Sequence, residues 1–163
     1  MPVPNDTNSV RVSELPPKLA ELVEDFSGVG VKDRLQLLVE LSEELPALPA
    51  RYDGHREHME QVHECQTPLF LAVEVDTAVD PGGIVHLFFD APLEAPTTRG
   101  FASIMYNGLD GESAGTVLAV PNDFYTALGL GEAVSPLRLR GMVAMLSRIK
   151  NQVRDGIKDS TAT

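Results

Sequence analysis

Apolar positions recur at helical spacing in the first third of the chain. Leu19, Leu22, Val23 and Phe26 follow the entrance Ser13-Glu14-Leu15-Pro16-Pro17, and Gly28 and Gly30 end that element. A second helix is predicted over residues 31–44, with Leu35, Leu38 and Val39 as its core face, Leu45 just beyond and Pro46 as its stop. The acidic residues between them (Glu21, Glu24, Asp25, Glu40, Glu43, Glu44) read as a solvated face. Residues 46–59 carry prolines, Gly54 and many charges, and read as an irregular connection.

The period then changes. Residues 69–75 are dense in apolar and β-branched side chains and predict a strand. Asp80-Pro81-Gly82-Gly83 is a turn signal, and residues 84–89 predict the returning strand of an antiparallel hairpin. A short strand near residues 61–63 would place Cys65 on a loop between strands. Thr97 or Thr98 is the expected cap of a helix with Phe101, Ile104 and Met105 on its core face, ended by Gly108 and Gly111. Residues 117–120 form a short apolar piece, and residues 121–128 a further short helix closed by Gly129 and Gly131. Ser135-Pro136 opens the last helix, which reaches about residue 153 with Met142, Met145, Leu146, Ile149 and Val153 at helical spacing. The Met positions read as core. The order predicts an α+β fold: a small antiparallel sheet of about three strands packed against a layer of helices, with a long amphipathic C-terminal helix. Residues 13–154 are the expected single domain, between flexible tails at 1–12 and 155–163.

Composition narrows the function. Thirteen basic against 24 acidic residues give a net charge of −11, which disfavours nucleic acid or anionic membrane as the main partner. The single cysteine excludes an internal disulfide. No apolar run approaches the ~20 residues of a membrane helix, and no leader-like segment opens the chain. A cytoplasmic protein with a reduced thiol is expected.

The candidate chemistry centres on residues 62–68. Cys65 follows three of the four histidines (His55, His58, His63) within eleven residues. Glu60 and Glu64 would raise its pKa, whereas His63 would lower it if protonated or act as a base. This describes a thiol activated in a complex rather than at rest. A second reading is a zinc site built from His55, His58, His63 and Cys65, which supply up to four N/S ligands in a spacing unlike common zinc modules. A Cys65–His86 hydrolase pair has no local support. No phosphate-binding glycine loop, G-x-S-x-G or H-E-x-x-H is present. Arg138 and Arg140 occupy the first turns of the last helix, the end that repels cations.

Four segments in register resemble the SufE family of sulfur acceptors. Glu40-Leu41-Ser42-Glu43-Glu44-Leu45-Pro46 is similar to E-L-G-x-x-L-P, and Val62-His63-Glu64-Cys65-Gln66-Thr67 to V-x-G-C-Q-S. Leu93-Glu94-Ala95-Pro96-Thr97-Thr98-Arg99-Gly100-Phe101 is similar to S-D-A-x-I-V-K-G-L, and Ser135-Pro136-Leu137-Arg138 with Gly141-Met142 to S-P-S-R-x-x-G-L. The resemblance implies that Cys65 accepts persulfide sulfur from a pyridoxal-phosphate-dependent cysteine desulfurase of the SufS type. It implies stimulation of that enzyme and transfer of the sulfur to an iron–sulfur scaffold, with no cofactor in this chain. Arg138 matches the family's functional arginine, and Glu94 stands at its functional aspartate. With His63, Glu64, Gln66 and Arg99 they form the expected partner-contact or supporting set. Glu64 stands where the family has glycine, which leaves the shape of the loop and its outward swing open.

Overall fold

The computed structural model describes residues 15–161, so the expected tail at residues 1–12 lies outside the described residues. Helices α1 (Pro17–Ser27) and α2 (Val31–Glu44) lead. Strands β1 (Glu60–Gln61), β2 (Phe70–Asp76) and β3 (Ile84–Asp90) follow, then α3 (Pro96–Leu109), α4 (Ala114–Ala119) and α5 (Pro136–Thr161). The three strands form one antiparallel sheet in the order β1-β2-β3. This is the expected α+β architecture.

The β2–β3 register explains the layers. Leu71 lies opposite Phe89 and Val75 opposite Val85, and Val85, Leu87 and Phe89 are buried on one face. Helix α5 packs on β2, and α3 packs on both β3 and α5. Helices α1 and α2 cover the other side of α3. The opposite sheet face carries the irregular connection: Tyr52 stacks on Phe88 at 4.9 Å, and Arg56 lies over Phe70 at 4.7 Å while bonding Asp90. The hairpin turn depends on Gly83, whose φ of +93° suits glycine. A Cβ there would also collide with Val75 Cγ1.

Several expectations need correction. Leu35 and Val39 are 40% and 39% exposed, because α2 packs through Leu38 and Ser42 instead. Gly100 of α3 allows that approach, since a Cβ on it would lie 2.7 Å from the Leu38 carbonyl oxygen. Helix α3 starts earlier than a threonine cap predicts, with Ala95 as N-cap and Pro96 in the first turn. Gly108 lies inside it, facing Leu19. Residues 117–119 belong to α4, capped by Ser113, whose oxygen accepts from the Thr116 N–H. Two single 3-10 turns, Phe124–Thr126 and Leu130–Glu132, replace the short helix.

The last helix continues to Thr161, where the sequence pattern predicts a tail from residue 155. Its apolar stripe runs on past buried Val153 to Ile157, which packs against the core. Gly156 brings the helix against Val75, since a Cβ on it would lie 2.6 Å from Val75 Cγ2.

Candidate functional site

Cys65 sits on the loop between β1 and β2. The neck of this loop is closed by the Val62 N–H donating to the Leu69 carbonyl at 2.8 Å, and both residues are buried. Within it, the Cys65 N–H donates to the Val62 carbonyl at 3.2 Å, forming a tight turn. Among the described residues no non-glycine has positive φ, so Glu64 holds its place without glycine's conformational range. At the far end Thr67 Oγ1 donates to Thr98 Oγ1 at 2.9 Å, tying the loop to α3.

The thiol itself rests against α5. A Cβ built on Gly141 would lie 2.8 Å from Cys65 Sγ, so the bare helix backbone forms the seat of the sulfur. Cys65 is half-buried and packs on the core. Burial pushes its pKa up to about 11, the neighbouring Glu64 carboxylate adds to the rise, and Arg148 opposes it.

A cleft of about 290 Å³ opens beside the thiol. Cys65, Gln66 and Thr67 line one wall, and Glu94 through Thr98 with Phe101 line another. Arg138 closes it from the first turn of α5, where its guanidinium donates to Thr97 Oγ1 at 3.1 Å. The cleft therefore combines one thiol, one carboxylate, one guanidinium and several hydroxyls, supplied by three distant segments. It can receive a small polarisable group beside the sulfur, with a cation in reach of an anionic one.

The remaining expected residues divide. His63 is exposed and does not line the cleft. Arg99 acts behind the wall: its Nε donates to the Ser42 carbonyl at 3.0 Å and its Nη1 to the Ala91 carbonyl at 2.7 Å. It thus joins the start of α3 to the end of α2 and to the segment after β3. Glu64 turns to α5, where both its oxygens accept from Arg148 Nη2. Arg148 Nη1 also donates to Glu60 Oε2 at 2.7 Å. Sequence reasoning missed Arg148, whose one available signal is its position seven residues after Gly141, on the same side of the helix.

The four-ligand zinc arrangement does not assemble. Among the described residues His55 and His58 group with Glu57, all exposed, and neither His63 nor Cys65 joins them. His86 faces Asp110 at 3.8 Å, in a separate cleft with Leu45 and Pro46. No helix among the described residues is long and apolar enough to cross a membrane.

Residues 20–153 match the SufE family, described as an Fe-S metabolism associated domain. An uncharacterised SufE-like protein of Mycobacterium tuberculosis is 56% identical over 143 residues, covering 88% of this chain and 96% of that protein. The cysteine desulfuration protein SufE of Plasmodium falciparum is 23% identical over 90% of this chain and 58% of its own length. A hypothetical protein from Thermus thermophilus, solved in solution, superposes with a TM-score of 0.76 at 42% identity, covering 88% of this chain and 98% of that one. With its cysteine-bearing loop and α+β frame, the chain belongs to the SufE family.

Proposed function

We propose that Cys65 accepts sulfane sulfur from the persulfide of a pyridoxal-phosphate-dependent cysteine desulfurase and passes it on for iron–sulfur cluster assembly. The observation that carries this reading is the convergence of Cys65, Glu94 and Arg138 on one cleft. Family membership supports a place in Fe-S metabolism, and the Plasmodium relative's name supports the desulfuration step.

The chemistry is thiol exchange. The Cys65 thiolate attacks the outer sulfur of the donor persulfide. A new S–S bond forms on Cys65, the donor's S–S bond breaks, and the donor cysteine leaves as thiolate. No electrons are gained or lost overall. At a pKa of about 11 only about one thiol in ten thousand is ionised at neutral pH. Burial thus holds the resting thiol in its protonated form, and docking activates it by moving it out of its seat or bringing positive charge to it. Arg138 stands at the cleft to steady the anionic sulfur, and Glu94 to orient a cationic or hydrogen-bonding group of the partner.

The test is intact-mass analysis after incubation with a cysteine desulfurase and cysteine. A mass gain of sulfur that vanishes in Cys65→Ser, with faster desulfurase turnover, is the expected result. An unmodified Cys65 and unchanged turnover would remove the proposal.

A further inference from the structure

The loop carrying Cys65 clasps α5 at two points about two helical turns apart. At one, the sulfur sits on Gly141. At the other, Glu64 is gripped through both oxygens by Arg148. Two turns are roughly 10 Å, so the pair of contacts fixes the direction of the loop as well as its distance from the helix.

Arg148 is itself braced. Glu60 accepts from its other terminal nitrogen, and Glu60 Oε1 accepts from Gln152 Nε2 at 2.9 Å. Gln152 Oε1 in turn accepts from the Val73 N–H of β2 at 2.9 Å. The side chain of Arg148 is 22% exposed, against 40% for Glu64. Its Nε is buried and has no hydrogen-bond partner among the described residues. A freely exposed ion pair contributes little. Here the cation is held in place by sheet and helix, and only the Glu64 end, on the loop, is free to leave.

We infer that Arg148 is a positioning residue for Cys65: by gripping Glu64 it latches the 62–68 loop onto α5, and the thiol becomes available to a partner only when that ion pair opens. This rests on the sulfur-acceptor reading for its biological use, though the latch can be measured without any partner. The latch acts at the residue where this chain departs from the glycine of the family pattern. The charged groups around the thiol are Glu64 on its loop, Arg148 on α5, and Glu94 and Arg138 across the cleft.

The experiment measures iodoacetamide capture of Cys65 in the full chain from about pH 7 to about pH 10. It is run at low salt and at roughly 0.5 M sodium chloride, alongside amide hydrogen exchange of residues 63–67. Glu64→Gln and Arg148→Gln are expected to speed capture at neutral pH about tenfold and to speed loop exchange, as a charge-assisted bond is lost. Arg148→Lys keeps the cation but cannot hold Glu60 and Glu64 on two separate nitrogens, so its rate falls between. Salt accelerates the wild type and leaves Glu64→Gln unchanged. Removing the carboxylate charge also moves the pH profile of Glu64→Gln downward. The inference is overturned if Glu64→Gln leaves the hydrogen exchange of residues 63–67 unchanged, even where its lowered pH profile speeds capture. Should the Arg148 variants fail to fold, Glu64→Gln alone decides. A persulfide test that fails while capture responds as described removes the sulfur-acceptor reading and leaves the latch standing.

Discussion

Cys65 Sγ occupies the space that a methyl group on Gly141 would need, at 2.8 Å from the ideal Cβ position. Gly141→Ala therefore sets two effects against each other. Alanine inside a helix gains about 1 kcal/mol over glycine, while the clash bears on a short side chain that only its own loop can move. The loop yields, because the helix is buried along its stripe and the loop is not. The expected result is nearly unchanged unfolding by urea together with faster thiol capture. Slower capture, or a large loss of stability, would show that the loop cannot give way.

The buried thiol also makes stability depend on pH. In the folded chain its pKa rises from 9.0 to about 11. Between these values the unfolded chain has lost the proton and the native chain has kept it, so raising the pH drains stability. Below about pH 9 the contribution is intact. Urea midpoints of wild type and Cys65→Ser, compared across this range, should run parallel at neutral pH and draw together from about pH 9 upward as the wild type loses ground. Tyr52 and Tyr106, also raised by burial, titrate in both proteins and cancel in the difference.

Arg138 is exposed and makes one side-chain hydrogen bond, to Thr97. Arg138→Ala should keep the fold, with stability within about 0.5 kcal/mol of wild type, since a cation leaves the positive end of α5. Desulfurase stimulation should nonetheless fall several-fold. Unchanged stimulation in a turnover assay would take Arg138 out of the partner contact.

Arg99 is expected to behave in the opposite way. Its two bonds to the Ser42 and Ala91 carbonyls hold the cleft wall from behind. Arg99→Met leaves both carbonyls short of a donor, at a cost of about 2–4 kcal/mol. Thermal unfolding should show the loss even where no partner is present. A variant as stable as wild type, with lost stimulation, would instead make Arg99 a contact residue.

Local patterns make most elements readable. The 31–44 helix has the bounds its sequence predicts, because glycine and proline punctuate both ends. The hairpin follows from Asp80-Pro81-Gly82-Gly83 between two apolar runs. Errors arise where a long-range contact chooses among local options. Leu35 and Val39 fit a helical face as well as Leu38 does, but only Leu38 meets Gly100. Residues 155–161 look polar enough to fray until Ile157 finds the core. At the site, Cys65, Glu94 and Arg138 stand out from motifs, and their common cleft needs the fold. The Glu64–Arg148 pair spans 84 positions, and no local pattern marks either partner as belonging to the other.

The closed neck of the cysteine loop sets a limit on reach. With Val62 bonded to Leu69, Cys65 is three residues from its nearer anchor. A fully extended chain covers about 3.4 Å per residue, so the Cys65 Cα can reach about 10 Å from that anchor, and its side chain carries the sulfur roughly 3 Å beyond. Leu93 and Leu137 are the chain neighbours of the cleft residues Glu94 and Arg138. Both leucines are exposed, 76% and 48%. On the sulfur-acceptor reading proposed above, the length of this tether makes transfer a question of how closely two surfaces fit before any bond is exchanged.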